Sequence, residues 1–277
     1  MIEIQKLSIP ILIFTLCLIS GKAEAGRLIK GVMGEGTSAI VGITPEQGRH
    51  IAIQRARADA IEKACGIYLL GSTLVRNGRL VGEFLKSFTR GFIIKENIEW
   101  QPLDELRPSE NEPPIPLYRV RIRADIMIPD KPTTPSLYLS ARLNKESFLS
   151  GDHAKLFIST TRSSRIAIFN IRADDRIVML YPSIKQDTYT EPDREFIFPP
   201  KGSGIILEIH TFKGHRRDCE AFMVVAIDAS ALKGFHFVDH FKHNFPYSVP
   251  EFFSRYSKIA EYAVETILPY EVINPTP

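Results

Sequence analysis

The chain has 277 residues, 44% of them hydrophobic and 24% charged, with a formal net charge of +3. That balance excludes a disordered polar chain and supplies enough apolar material for two ordinary domains. The slight basic excess contains no run of the kind that forms a nucleic-acid arm, so nucleic acid is not an expected partner.

Met1 to Lys6 lead into an apolar run from Leu7 to Ile19, followed by Ser20-Gly-Lys-Ala-Glu-Ala25. A bilayer-spanning helix needs about 20 apolar residues. This run is shorter, with the length of a signal-peptide core. Ala23 and Ala25 supply the small-x-small pattern that signal peptidase reads, which predicts cleavage before Gly26 and a periplasmic or otherwise exported product. Glu3 weakens the basic start and leaves an uncleaved anchor as the alternative. Cys17 is preceded by Leu16 where a lipoprotein site wants a small residue. Loss of residues 1–25 leaves 33 basic and 30 acidic residues, so the net charge stays +3 and no transmembrane segment is expected to remain.

Residues 26–128 read as an α+β domain, a sheet with helices packed on one face. Arg27 to Val41 has β character broken by Gly34 and Gly36, which predicts an opening strand running into a glycine-containing turn. Thr44-Pro45-Glu46-Gln47 is a capping box with proline at the first helical position. The helix carries a line of small residues at Ala52, Ala56, Ala60 and Ala64, suited to close packing on a sheet, and Gly66 is placed to end it. Arg49, Arg55, Arg57 and Glu62 fall largely off that line. Ile67–Val75 predicts an extended segment, Asn77-Gly78 a turn and 81–90 a second helix. A strand follows from Phe92 to Gln101, and then a proline-rich surface loop. From Tyr118 to Ile128 the chain alternates with period two, turning Val120, Ile122, Ala124 and Ile126 inward and Arg119, Arg121 and Arg123 outward. That arginine row is the candidate binding surface, for an acidic partner or an anionic envelope ligand. The same alternation also suits a plain solvated face or a charge-protected edge strand.

Several of these segments together carry a resemblance: Gly34-x-Gly36, Ala52-Ile-Gln-Arg-Ala-Arg-Ala-Asp-Ala60, Asn77-Gly78, Ser87-Phe-Thr-Arg-Gly-Phe-Ile93 and Tyr118-Arg-Val-Arg-Ile-Arg-Ala124. Over about residues 30–128 the chain resembles the N-terminal domain of the flagellar assembly protein T family and its relatives among small bacterial lipoproteins. The resemblance implies a non-catalytic periplasmic module of envelope or flagellar assemblies, and it offers no catalytic residue to carry over.

Residues 129–136, rich in proline, predict a stiff linker. From 137 to 234 short β patterns alternate with turns: Leu137–Leu143, Ala154–Thr160, a hairpin of Ile166–Ile171 and Ile177–Leu180 around Arg172–Asp175, then Glu195–Phe198, Gly204–Thr211 and Ala221–Ile227. This predicts an all-β, sandwich-like domain. Phe148-Leu-Ser-Gly-Asp152, Ile166-Ala-Ile-Phe-Asn-Ile171, Val178-Met-Leu-Tyr-Pro182, Phe198-Pro-Pro200 and Glu220-Ala-Phe-Met-Val-Val-Ala226 give it a second resemblance, to a bacterial domain family of unknown function. That likeness implies a sandwich and a recognition role with no assigned ligand.

Residues 235–277 predict a segment packed on the second domain. His236, Asp239, His240 and His243 raise a metal reading, but the order lacks the His-Glu pairing of a zincin and the interleaved aromatics suit packing. No metal or other cofactor is expected. Ser248-Val-Pro-Glu251 is a second capping box, opening a helix predicted to run through Tyr256, Ala263 and Ile267 until Pro269, with a terminal strand at Tyr270–Ile273.

Loss of Cys17 leaves Cys65 and Cys219. An oxidising compartment permits a disulfide between them, and two buried free thiols are the alternative. Cys219-Glu220 near His210 or His215 is weak ground for a thiol nucleophile, and Asp174-Asp175 reads as a turn pair. No nucleophile elbow, phosphate loop or dinucleotide fingerprint is present. The sequence therefore predicts a non-catalytic envelope protein whose partners are other envelope proteins. A sensor of anionic glycan or lipid, and a metal-dependent or hydrolytic periplasmic enzyme, are the alternatives.

Overall fold

The computed structural model describes residues 26–66, 90–107, 109, 112–130, 137–184 and 189–275. The leader with Ala23 and Ala25, the extended segment 67–75, the turn at Asn77-Gly78, the second helix apart from its last residue, and residues 131–136 of the linker lie outside these. Strands take 47% of the described residues and helices 17%, so the protein is β-rich, built of several sheets in a sandwich-like arrangement.

Strand β1 (Arg27–Ala39) precedes helix α1 (Pro45–Cys65), then β2 (Phe92–Trp100), β3 (Asp104–Leu106) and β4 (Ile115–Ile128). The chain continues as β5 (Leu139–Leu143), β6 (Ser147–Leu149), β7 (Asp152–His153), β8 (Leu156–Thr160), β9 (Ser164–Ile171), β10 (Arg176–Tyr181), β11 (Phe196–Phe198), β12 (Glu208–Ile209) and β13 (Arg217–Asp228). Helix α2 (Phe237–His240), β14 (Pro246–Ser248), helix α3 (Val249–Tyr256), a 3₁₀ turn (Ala260–Tyr262) and β15 (Ala263–Ile273) complete it.

In the first sheet β4 pairs antiparallel with β1 on one side and with β2 and β3 on the other. Helix α1 begins where its capping box says: the Thr44 hydroxyl accepts from Gln47 N at 3.2 Å and Gln47 Oε1 accepts from Thr44 N at 2.9 Å. It ends on Gly66 in the left-handed conformation, φ 69°. Ala52, Ala56 and Ala60 are fully buried against the sheet. Opposite them stand the two glycines expected to form a turn. They lie inside a continuous β1, and a Cβ on Gly34 or Gly36 would come within 2.0 Å of the carbonyl oxygen of Ala56 or Ala52. Small residues on both surfaces thus set the helix directly on the strand backbone.

The six-stranded central sheet runs β14-β10-β9-β13-β15-β6, and a three-stranded sheet runs β11-β8-β5. Phe148, Leu156, Ile158, Ile168, Phe222, Val224 and Val272 form a core on one side of the central sheet. Phe169, Ile171, Met179, Ala221, Met223 and Val225 belong to a second core, shared with α1, the first sheet and α3. Both faces of β9 and β13 are therefore buried, which is why their sequences are unbroken apolar runs instead of alternating ones.

The predicted C-terminal helix is shorter than expected. It starts at its capping box but stops at Tyr256, and residues 263–273 form β15, paired antiparallel along β13 from Ala263↔Ile227 to Ile273↔Arg217. Pro269 sits inside this strand, where the far edge carries no partner, since β6 pairs only with Glu271–Ile273. Helix α3 packs between the sheets: Phe253 stacks on Phe92 of β2 at 5.3 Å, and Phe252 meets Phe169 of β9 edge-on at 4.9 Å.

Two polar contacts fasten α1 to the central sheet. Arg57, expected off the buried line, is 2% exposed and makes two bidentate pairs. Its Nε and Nη2 donate to Glu96 at 2.9 and 2.6 Å, and its Nη1 and Nη2 to Asp175 in the β9–β10 turn at 2.5 and 2.9 Å. Gln47, while closing the helix cap, donates from Nε2 to Arg217 O at 2.8 Å.

Candidate functional site

The alternation read for β4 holds: Val120, Ile122, Ala124 and Ile126 are buried and Arg119, Arg121 and Arg123 are exposed. The row is not a bare cationic strip. Arg119 Nε donates to Asp104 at 2.8 Å, and Arg121 Nε to Glu35 at 3.0 Å. In register, Arg121 stands between Glu35 of β1 and Glu99 of β2, so acidic neighbours flank it on both sides. Arg123, between Met33 and Asn97, has no ion pair among the described residues. Two of the three arginines thus face carboxylates, Arg119 one and Arg121 two.

At the end of this sheet, near Leu117, the exits of β1 and β2 and the short β3 converge on β4, with Ala39 paired to Leu117 on one side and Asp104 on the other. Val41, Trp100, Leu103 and Leu106 are exposed there, Leu103 at 61% and Trp100 at 39%; Trp100, opposite Val120 in register, lies on the α1 side of the sheet, away from Arg119 and Arg121. The Arg49 guanidinium lies 5.7 Å from the Trp100 ring centre and 5.2 Å from that of Tyr118. A groove of about 370 Å³ on the Arg119–Arg121 side is lined by Glu35, Thr37, Pro102, Leu103, Arg119 and Arg121. Exposed apolar residues beside arginines and carboxylates have the composition of a protein-contact surface: aromatic and arginine anchors with a polar surround. Sequence reading found the arginine row but missed Arg49, Val41, Trp100, Leu103 and Leu106. The only available signal was the lone tryptophan followed by Gln101-Pro102, apolar residues placed where the strand pattern ends.

The clusters that suggested chemistry are occupied by structural bonds. Cys65 and Cys219 are free thiols, not a disulfide. Burial, reinforced by the Glu271 carboxylate, pushes the Cys219 thiol up to about 12, so it is no thiolate nucleophile. His215 Nδ1 is 2.7 Å from Asp218 Oδ1, while Asp218 Oδ2 accepts from Phe212 N at 2.7 Å; this pair closes the loop before β13. His210 contacts Ser150 and Glu208. His243 Nε2 lies 3.2 Å from Leu180 O, and the His240 ring stacks on Phe235 at 4.9 Å. Among the described residues no three His, Cys, Asp or Glu side chains group to hold a metal ion. Asp174 and Asp175 form the expected turn, Asp175 at φ 65°, but Asp175 also anchors Arg57.

No protein-family model matches the chain, and no curated protein matches it in sequence. No described helix is long and apolar enough to cross a membrane.

Proposed function

We propose that the chain is an exported, non-catalytic protein of the cell envelope that acts by binding other proteins, within a flagellar, secretion or similar assembly. The observation that carries this reading is the exposed Leu103 beside Arg119 and Arg121 in the groove of the first sheet, with Trp100 and Arg49 in contact on the α1 side of the same sheet end. The apolar leader supports export. The resemblances of residues 30–128 to flagellar assembly protein T and of 137–230 to a recognition-type domain support an assembly role. On this reading residues 26–128 are an α+β domain and 137–234 a sandwich domain, with 235–277 packed on the second domain, where β14 and β15 join its central sheet.

The charge of the surface favours a protein over an anionic glycan or lipid. A polyanion gains affinity from uncompensated cations, whereas Asp104 is paired with Arg119, and Glu35 and Glu99 flank Arg121. A protein partner with its own mixed charges can exchange these pairs and bury the aromatic anchor. Crosslinking and pull-down from envelope fractions is the test, with native protein set against a Trp100→Ala, Leu103→Ser variant of equal stability. A discrete partner retained by the native protein and lost by the variant is expected. Equal retention by both, or recovery of background alone, would overturn the reading.

A further inference from the structure

Arg165 of β9 lies in the interior at 6% exposure, yet no carboxylate stands within ion-pair distance of it among the described residues. Its Nη1 donates to Ala229 O at 3.1 Å and Leu232 O at 3.2 Å, its Nη2 donates to Tyr189 Oη at 3.0 Å, and the Tyr189 ring centre is 4.9 Å from its Cζ. Every one of these partners is neutral. The nearby buried carboxylate, Asp228, is engaged by Ser230 N, Ser230 Oγ and Arg162. The Nε–H of Arg165 is buried and has no hydrogen-bond partner among the described residues. Arg165 also lines a small cavity of about 20 Å³, whose other walls are Ile166, Tyr181, Pro182, Ile184, His236, Phe237 and Val238.

A buried cation whose hydrogen-bond partners among the described residues are all neutral is a costly arrangement, because burial strips the water that would otherwise spread its charge. An anion at the orphaned Nε–H supplies a counter-charge. The space fixes its size. A cavity that takes a water needs about 10–15 Å³ on this measure, so this one holds a single atom-sized occupant and not a sulfate or phosphate. The walls fix its character. Their polar side chains are Arg165, His236 and Tyr181, the rest are apolar and none is a carboxylate, which suits a weakly hydrated anion.

We propose that the Arg165 cavity binds one halide-sized anion, chloride in ordinary media, which ties β9 to the Tyr181–Pro182 end of β10 and to the start of α2. The site is remote from the first-sheet surface and does not depend on the function proposed for it.

The purified mature protein is crystallised in sodium bromide, and its melting temperature is followed against chloride and bromide at fixed ionic strength, with methanesulfonate as the oversized control anion. A bromide anomalous peak in contact with Arg165 Nε is expected, with a saturable rise in melting temperature specific to the halides. In Arg165→Met the midpoint of that rise should move by roughly tenfold or more, or the rise vanish. An ordered water without anomalous signal at Nε overturns the proposal. A halide response identical in native protein and variant overturns it as well. Should Arg165→Met fail to fold, the bromide peak in native crystals decides alone.

Discussion

Taking a guanidinium out of water costs several kcal/mol, and only close carboxylates with good geometry return it. Burial works against the charge of Arg57, but Asp175 and Glu96 outweigh it and hold its pKa above the ordinary arginine value. Arg57→Ala leaves two carboxylates unpaired and is expected to cost about 3–5 kcal/mol in urea unfolding. The apolar Arg57→Met paired with Glu96→Gln and Asp175→Asn should lose much less. Glu220 obeys the opposite rule. Burial raises its pKa from the ordinary 4.5, against hydrogen bonds from Tyr270, Ala173 N and Asn170 that pull it down. The folded carboxyl therefore holds its proton more tightly than the unfolded one. Its contribution is fully present below pH 4.5 and is lost as pH rises through the folded value. Glu265, also raised by burial, acts with the same sign. Glu220→Gln should flatten, without abolishing, this decline in stability as pH rises above 4.5; an unchanged slope in urea melts at stepped pH would refute the assignment. For Cys219, the raised thiol predicts slow alkylation by iodoacetamide at pH 8 in the folded protein and fast reaction in denaturant.

Elements differ in how far their own residues declare them. Helix α1 was legible because Thr44, Pro45, Gln47 and Gly66 are local signals, complete within the helix and its caps. Strand β4 was legible because one face is wet. The glycines of β1 were misread because what they make room for, the α1 backbone at Ala52 and Ala56, comes some sixteen to twenty-two residues later in the chain. Gly36→Ala is expected to destabilise by about 3 kcal/mol or more through this backbone clash, measured by thermal and urea unfolding. Gly42→Ala, where no atom lies within 4 Å, meets only the penalty of its φ of 65°. The last four residues of β15 match the predicted terminal strand, but its first part reads as helix because Tyr256, Ala260, Ala263 and Ile267 keep helical spacing, and its pairing partner β13 lies 34 intervening residues back along the chain. The same distance hid Arg57, whose acid partners lie 39 and 118 residues away. The contact surface was only half legible. Its arginines follow a strand period, but the placing of Trp100 and Leu106 at the same end of the sheet comes solely from its register.

Across the whole molecule, one core runs from α1 through the first sheet and α3 into the central sheet. Phe253 and Arg57 bind the same two bodies from different places, one by ring stacking and one by charge. Phe253→Ala should cost about 3–5 kcal/mol. Combined with Arg57→Met it is expected to split one cooperative unfolding transition into two, resolvable by calorimetry. A single sharp transition in the double variant would show that other contacts suffice to join them. Gln47 adds a finer link, because one amide group both seals the first turn of α1 and grips the strand that carries Arg217. Peeling the halves apart must therefore loosen that turn at the same moment. Amide protons at its start become a built-in gauge of separation, and a ligand that prises the halves open should hasten their exchange with deuterium long before any helix melts.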